Sequence, residues 1–576
     1  MIAGTGVGAI HLYTVQPPHV YEEPRAYNLA NLDHPLSLVH GVWVPNDVLA
    51  DTHDTFEATV LDQTRTDIDD AVRALHGDAV LPEPRGYASG TCTADVSPWV
   101  VSWAFGIETD PTIVHNSDTT NAGRTYRSRY ISATEEASPT EAWLAETLGR
   151  ITGLEVEYAR SMPLTFSDWP TTDPLRHPTE PLGTEDMAGI DANHLEASAA
   201  WPGGLYAGYL VALRDHHAQA GIPTMILEFG IPSSLGSAHH GSLGRDQGGH
   251  DEATAMRMNG EMLRTQQDLG LARGFVFAWQ DEWFKRTWNT LDTEIPASRR
   301  QLWQNPLTNE SNFGLLAMDA GTEGPPVFID GSDQDRRADN SQAILESDGA
   351  VREVRATHDH SYLYLRLVLD EPRSWELKPI AVGFDTVPGG NGGLPDAPGV
   401  GADSDTVIVV SPGSETNMFV RASNDYNDLV LGRRLGFYPV SDSDLLDGSG
   451  AWRPQRLNVN RPLHIPVLEI DRPAEWFELN PLQTGSSQPG TPLFDSRTVW
   501  AADEAIVELR VPWAMIGLSD PSSRLALVVS ADGGPSTAEM ERLGISLATG
   551  TEGFETKGYT WAGWDAVAEV DEARRG

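Results

Sequence analysis

Short apolar runs alternate with longer segments of helical spacing over the first 320 residues of the chain. Seven runs have the length and the flanking turn residues of strands, at residues 7–13, 36–44, 99–107, 162–166, 187–190, 224–227 and 274–278. Apolar positions recur at helical spacing in residues 56–76, 139–152, 206–220 and 253–269. Because strands buried on both faces read as continuous apolar runs, this alternation predicts a mostly parallel sheet with helices packed against it.

The strongest strand signal is in residues 224–234, Thr-Met-Ile-Leu-Glu-Phe-Gly-Ile-Pro-Ser-Ser. The apolar run leads to a single carboxylate, Glu228, and Gly230 and Pro232 then end it. Parallel α/β folds place ligands and catalytic groups at the carboxyl ends of their strands. Glu228 is therefore the first candidate for a functional residue, and the alternative is an acid that is only solvated.

Seven strands are one fewer than a (β/α)₈ barrel contains. The chain also begins almost directly on a strand, with no helix before it. We therefore expect residues 1–320 to form an α/β domain, a TIM-type barrel that lacks its first strand.

The pattern changes after residue 320. Strand-length runs at residues 362–369, 406–410, 505–511 and 525–530 are separated by breaks rich in Gly and Pro. Period-two alternation with such breaks is typical of an antiparallel sandwich. We expect residues 321–576 to form a separate all-β domain, a C-terminal β-sandwich.

Acidic residues dominate the charge of the chain. The 576 residues include 83 acidic and 40 basic side chains, for a formal net charge of −43. Such a surface repels nucleic acid and anionic membranes, and concentrated salt would screen its self-repulsion. We expect no nucleic-acid partner, and we hypothesise a halophilic source.

No apolar stretch is long enough to predict a membrane span, and the first ten residues lack the basic and apolar regions of a signal peptide. The sequence as it stands predicts a cytoplasmic protein, or an extracellular one if a segment before Met1 carries an export signal. The single Cys92 excludes an internal disulfide framework. His239, His240 and His250 lack the spacing of metal ligands, so no metal and no cofactor is expected.

Two glutamates are predicted to meet at the carboxyl-end rim of the sheet. If residues 36–44 form strand three of a barrel, Glu108 follows strand four and Glu228 follows strand seven. A pair of carboxylates facing each other is what glycoside hydrolysis requires. Further strand ends carry side chains suited to sugar rings and hydroxyl groups: the candidates are Trp43, Trp169, Trp279, Asp168, Asn193 and His194.

These residues resemble the motifs of the retaining (β/α)₈ glycoside hydrolases with catalytic glutamates on strands four and seven. Residues 227–230, Leu-Glu-Phe-Gly, resemble the nucleophile motif, residues 106–108, Gly-Ile-Glu, resemble the acid/base motif, and Trp279 resembles the strand-eight aromatic. The resemblance implies Glu228 as nucleophile and Glu108 as acid/base. Ile107 stands where the clan usually has Asn, and His11 where it often has Arg.

Residues 325–570 resemble family-nine carbohydrate-binding modules and DOMON-like sandwiches. The similar pieces are residues 328–331, 356–365 and 383–386. This resemblance implies a carbohydrate-binding role for the second domain.

The sequence thus favours a glycoside hydrolase acting on a poly- or oligosaccharide. Two alternatives stay open: a non-catalytic polysaccharide-binding or scaffold protein on a degenerate barrel, and a transglycosylase that remodels an exopolysaccharide. Asp168, Asp173, Asp191 and Glu282 are also rim acids, and one of them could replace Glu108 in the pair.

Overall fold

The computed structural model describes residues 2–83, 87–177, 184, 186–208, 213–240, 246–320, 325–332, 341–371, 379–389, 403–411, 415–465, 467–503, 505–567 and 570–574. The chain forms two compact units. The first comprises Met1–Phe229, Glu261–Val276 and Ile465–Ile470, and the second comprises Gly230–Gly260, Phe277–His464 and Asp471–Gly576. The domain boundary placed near residue 320 from the sequence stays a prediction.

Seven parallel strands form the central sheet of the first unit. They are β1 (Ala9–Leu12), β2 (Ser37–Trp43), β3 (Val100–Ile107), β4 (Leu164–Asp168), β5 (Ala207–Gly208), β6 (Thr224–Phe229) and β7 (Gly274–Val276). Their order in the sheet is their order in the chain, and each pairs in parallel with the next. The predicted parallel sheet is therefore confirmed.

The sheet curves until it nearly closes on itself as a barrel. Val39 of β2, Ala104 of β3 and Leu227 of β6 lie on strands that are not all adjacent, yet they pack in one apolar cluster on the inner face. The ring centroid of His11 in β1 lies 5.8 Å from that of Phe275 in β7. The two edge strands of the sheet therefore approach each other, and the paired strands among the described residues number seven, not eight.

The described helices of the first unit are α1 (Pro18–Ala30), α2 (Asn46–Thr52), α3 (Ala58–Leu75), α4 (Pro111–Thr120), α5 (Pro139–Glu157) and α6 (Arg214–Gln219). A further helix, α7 (Glu252–Asp268), belongs to this unit from Glu261 onward and to the second unit before it. Side chains alternate along a strand, so Trp103 and Phe105 of β3 point away from the inner face. They share a buried core with Leu75 of α3 and Trp143 of α5. The outer face of the sheet is thus the main apolar core of this unit.

Among the described residues, no helix combines the length and the apolar character needed to cross a bilayer.

Two predicted elements are wrong. Residues 187–190 form no strand, and instead the Ile190 N–H donates a hydrogen bond of 2.8 Å to the Thr172 carbonyl oxygen. The helix predicted for residues 206–220 is in fact β5 followed by α6, which begins only at Arg214. Residues 209–212 lie outside the described part of the chain, and at Gly208 the absence of a side chain lets the neighbouring strand come close. A Cβ atom at Gly208 would lie 2.5 Å from Cδ1 of Leu227.

Among the described residues, the two largest sheets of the second unit are antiparallel. Their strands are β8 (Gln342–Glu346), β9 (Val351–His358), β10 (Tyr362–Leu369), β11 (Ile380–Asp385), β12 (Thr406–Val410), β13 (Asn417–Arg421), β14 (Trp452–Pro454), β15 (Trp500–Asp503), β16 (Ile506–Pro512), β17 (Gly544–Thr549) and β18 (Glu552–Glu555). The five-stranded sheet has the order β8-β9-β10-β16-β15, and the six-stranded sheet has the order β14-β13-β12-β11-β17-β18. Leu365 of β10 and Val382 of β11 belong to one buried cluster, so the two sheets share a core as predicted for a sandwich.

Shorter elements complete the two units. Antiparallel pairs join Ala79–Leu81 to Gly90–Cys92, Ile131–Ala133 to Leu195–Ala197, Ser237–His240 to Asp246–Gly248, Leu316–Ala320 to Val570–Arg574, and Arg456–Asn460 to Glu475–Glu478. Leu518–Asp520, Leu525–Val529 and Pro535–Glu539 form a three-stranded sheet, and Asn427–Arg434 is helical. Cys92 is buried and carries a free thiol.

Candidate active site

Glu228 is the penultimate residue of β6, at the carboxyl-end rim of the parallel sheet. The register between β6 and β7 shifts between Ile226 and Phe229, immediately around this residue. Irregularities of this kind re-aim a side chain relative to the strict alternation of a strand. The exposed Glu228 carboxylate accepts a hydrogen bond of 3.0 Å at Oε2 from the Tyr13 hydroxyl. Tyr13 follows β1, so the contact joins two strands that are not neighbours.

Tyr13 belongs to a row of rings on the inner face of the sheet. Its ring centroid lies 4.6 Å from that of His11 and 5.5 Å from that of Trp43. Burial lowers the pKa of His11 from its ordinary value to about 4, against the opposing effect of a backbone hydrogen bond at Leu227. His11 is therefore neutral near pH 7, and it supports Tyr13 without adding a positive charge beside Glu228.

The absence of a side chain at Gly106 makes room for the indole ring of Trp43. A Cβ atom at Gly106 would lie 2.2 Å from Cε3 of the Trp43 ring, so only glycine allows the indole to lie against this backbone. Glu108 is two residues further on, just past the end of β3, and it is exposed. Because side chains alternate along an extended chain, Glu108 leaves the backbone on the face that Trp43 covers. Tyr13, Trp43, Glu108 and Glu228 are thus associated with one face of the rim.

Asp168, the last residue of β4, points the other way. It shares a strand face with Leu164 and Phe166, which pack in the core toward the helices. Its Oδ1 accepts hydrogen bonds from the Trp169 N–H (2.8 Å) and the Thr172 hydroxyl (2.5 Å). Burial raises the pKa of the Asp168 carboxyl well above its usual range, and Asp173 and Glu141 add to the shift. The Asp168 carboxyl therefore favours its neutral form, and it lies on the helix side of the sheet, behind the rim.

Asn193 and His194 lie in the same outer network as Asp168. The His194 Nδ1 is 2.9 Å from Oε2 of Glu141, and this hydrogen bond raises the pKa of His194. The Asn193 Oδ1 is 2.9 Å from Nδ1 of His217 in α6. Neither side chain has a described contact with Glu108 or Glu228, so the structure divides the predicted site residues into two groups.

Trp169 and Trp279, two of the predicted aromatic platforms, differ in exposure and belong to different units. Trp169 directly follows β4 and exposes 41% of its surface, and strand alternation puts it on the face opposite to Asp168. Trp279 follows β7 by three residues and belongs to the second unit, where it is half-buried and its carbonyl oxygen accepts from the Leu316 N–H at 3.0 Å. Trp169 is available to a ligand at the rim of the first unit.

Sequence reasoning missed Tyr13 and Glu141. Tyr13 carried a usable signal, because it ends an apolar run in the same way that Trp43 ends the next one. Glu141 carried a helix-start signal only: its Oε2 accepts from the Ser138 N–H (2.6 Å) while its own N–H donates to the Ser138 hydroxyl (3.2 Å). This capping box at the start of α5 gave no hint that the same carboxylate also contacts His194 through both oxygens and accepts from the Asp191 N–H at Oε1.

Comparison with known proteins does not assign the chain to a family, because no protein-family model and no curated protein matches it.

Proposed function

We propose that the chain is a retaining glycoside hydrolase that acts on a poly- or oligosaccharide. Its catalytic unit would be a (β/α)₈-type barrel without one strand, and its sandwich would be a carbohydrate-binding-like domain. The observation that carries the proposal is the hydrogen bond from Tyr13 to Glu228 at a rim that also holds Trp43 and Glu108. Glu228 is the penultimate residue of one strand of the parallel sheet and Glu108 directly follows another, so both are near its carboxyl edge.

The proposed chemistry assigns a different role to each glutamate. Glu228 attacks the anomeric carbon, and the hydrogen bond from the Tyr13 hydroxyl to Oε2 stabilises the ionised form of the Glu228 carboxylate. Glu108 donates a proton to the leaving oxygen and then removes one from the incoming water. For this mechanism, the carboxyl groups of the two glutamates lie about 5–5.5 Å apart when substrate is bound. Trp43 and Trp169 offer flat apolar faces for the sugar rings.

Loss of turnover tests the assignment of Glu228, and azide rescue tests the assignment of Glu108. The chain is screened on β-linked glucans, mannans and galactans and on activated aryl glycosides. We expect Glu228→Gln to abolish turnover while sugar binding is kept. Glu108→Ala should lose about 10²–10⁴-fold in turnover of the unactivated substrate, and azide should restore turnover of the aryl glycoside as a glycosyl azide. Glu23→Gln, an exposed acid of α1, is the matched control.

Three outcomes would contradict all or part of this proposal. Binding of a polysaccharide without release of reducing ends would favour the non-catalytic alternative, and products longer than the donor would identify a transglycosylase. If Asp168→Asn, rather than Glu108→Ala, is rescued by azide, the acid/base assignment is wrong.

A further inference from the structure

A cluster of nitrogen and oxygen ligands lies behind the rim, apart from Glu108 and Glu228. Asp191 precedes the short helical turn Ala192–His194, and His216 and His217 are neighbours in α6. The His216 Nε2 is 2.8 Å from Oδ2 of Asp191, and the His217 Nδ1 is 3.9 Å from Oδ1 of the same carboxylate. One ligand atom from each of the three residues lies within 4.8 Å of the others. Each oxygen of the Asp191 carboxylate therefore has one imidazole nitrogen within 4 Å of it.

The spacing of these atoms fits a tetrahedral metal ion. Bonds of about 2.0–2.1 Å from Zn²⁺ to histidine nitrogen and carboxylate oxygen place neighbouring ligand atoms about 3.3 Å apart. The two distances to Asp191, 2.8 Å to Oδ2 and 3.9 Å to Oδ1, run to different oxygens, and one ligand atom from each of the three residues lies within 4.8 Å of the others, so the ligand atoms are already gathered near the span that one ion bridges. A fourth donor is at hand, because the Asn193 Oδ1 is 2.9 Å from Nδ1 of His217. Imidazole with carboxylate oxygen is a donor set that suits Zn²⁺ and other transition metals.

The cluster is also anchored as metal ligands usually are. The Asp191 N–H donates to Oε1 of Glu141 at 2.7 Å, and the Asp191 Oδ1 accepts from the Asn193 N–H at 2.8 Å. Glu141 is itself fixed by its capping box with Ser138 at the start of α5. The His217 side chain is completely buried, and that of Asp191 is 12% exposed. Second-layer hydrogen bonds of this kind hold ligands in orientation before an ion binds.

An exposed histidine–aspartate pair elsewhere in the chain serves as a comparison for the cluster of Asp191, His216 and His217. The His464 Nδ1 lies 2.8 Å from Oδ1 of Asp471, the same distance as in the cluster, but both side chains are more than half exposed. Among the described residues, no third histidine, cysteine or acid joins this pair in a group with metal-ligand spacing. The cluster differs from it in a second imidazole, an amide oxygen and burial.

We propose that Asp191, His216 and His217, with Asn193 as the fourth ligand, bind one Zn²⁺-class cation. The ion would tie the segment after β4 to α6 and so brace the outer side of the rim. This inference goes beyond the proposed hydrolase activity and does not depend on it.

The test measures metal binding directly. The chelator-treated full-length protein is titrated with Zn²⁺ by calorimetry and by competition with a chromophoric chelator, and the melting temperature is recorded with and without Zn²⁺. We expect one tight equivalent per chain and a Zn²⁺-dependent rise in melting temperature. His216→Gln, a change at a side chain that is 32% exposed, should weaken that equivalent by at least 10-fold and remove the rise. Circular dichroism of the zinc-free variant verifies that it folds.

His464→Gln is the matched control and should keep both the tight equivalent and the rise in melting temperature. Asn193→Ala should weaken binding less than His216→Gln does. The proposal is overturned if the wild type has no tight equivalent, if His216→Gln binds as the wild type does, or if His464→Gln removes as much binding as His216→Gln.

Discussion

Replacing Gly106 by alanine tests the seating of Trp43, on which the geometry of the rim depends. The added Cβ atom would lie 2.2 Å from Cε3 and 2.5 Å from Cζ3 of the Trp43 ring, whereas carbon atoms normally approach to about 3.5–4.0 Å. The indole would have to move by more than about 1 Å, and overpacking of this kind costs about 1–3 kcal/mol. We expect Gly106→Ala to lower the free energy of unfolding by that amount.

The source of that cost is isolated by a double-mutant cycle. The three heavy atoms nearest to the added Cβ all belong to Trp43. In a Trp43→Ala background, Gly106→Ala should therefore be neutral, or stabilising by up to about 1 kcal/mol because it restricts the unfolded chain. The coupling between the two sites, measured by urea denaturation followed by far-UV circular dichroism, should be at least about 1 kcal/mol. An equal cost in both backgrounds would refute the placement of the ring.

Gly153 provides the matched control for this cycle. It lies in α5, and a Cβ atom there meets nothing within 4 Å. Gly153→Ala should stabilise the protein by about 0.5–1 kcal/mol in both backgrounds, as expected for a helix interior.

Three further predictions concern acid, salt and the candidate nucleophile. Burial lowers the pKa of His40 to about 4, so His40 is neutral in the folded state near pH 7. As pH falls below about 6.5, the unfolded chain binds a proton at this residue and the folded state does not, so the free energy of unfolding decreases. His40 alone accounts for a loss of about 2 kcal/mol between pH 8 and pH 5, and other buried histidines such as His11 and His358, whose pKa values are also lowered to about 4, add losses of their own. Urea denaturation at both pH values should therefore show a loss about 2 kcal/mol smaller in Tyr21→Phe/His40→Phe than in Tyr21→Phe; equal losses would contradict the assignment. The net charge of −43 predicts that the urea midpoint rises when NaCl increases from about 0.1 M to about 1 M, since the screening length falls from about 10 Å to about 3 Å, and a flat midpoint would argue against charge repulsion. Tyr13→Phe should lower kcat/KM by about 10-fold through loss of its hydrogen bond to Glu228, whereas the exposed Tyr87→Phe should not; unchanged kinetics would separate Tyr13 from catalysis.

Long, strongly patterned elements could be predicted from the sequence. The strands that begin at Ser37, Val100 and Thr224 are continuous apolar runs, and their burial on both faces is what produces such runs. The strand at Tyr362–Leu369 has the predicted bounds because its apolar residues alternate clearly. In these segments local propensity and burial indicate the same structure.

The failures have a common physical origin in tertiary contacts. In the strand Ala207–Gly208, glycine admits Leu227, which lies far away in the sequence. Pro18 and Pro24 discourage a helix assignment for residues 18–30, yet Pro18 stands at the first helical position, where no N–H is required. No local pattern reveals contacts of this kind.

The candidate site was predictable in its positions but not in the direction of its side chains. Strand ends located Glu228, Trp43 and Asp168 on the rim. Whether such a residue faces the inside of the sheet depends on register, and a shift of one residue reverses the face. Asp168 consequently faces the helices, and the register shift beside Glu228 is invisible in the sequence.

The approach of β1 to β7 has a consequence for self-association of the protein. These two strands are the edges of the parallel sheet among the described residues, and the ring centroids of His11 and Phe275 lie 5.8 Å apart across the gap between them. An open strand edge is a template for pairing with a second molecule. The two rings narrow the gap between the edges, and so they hinder the entry of a foreign strand at this place in the sheet.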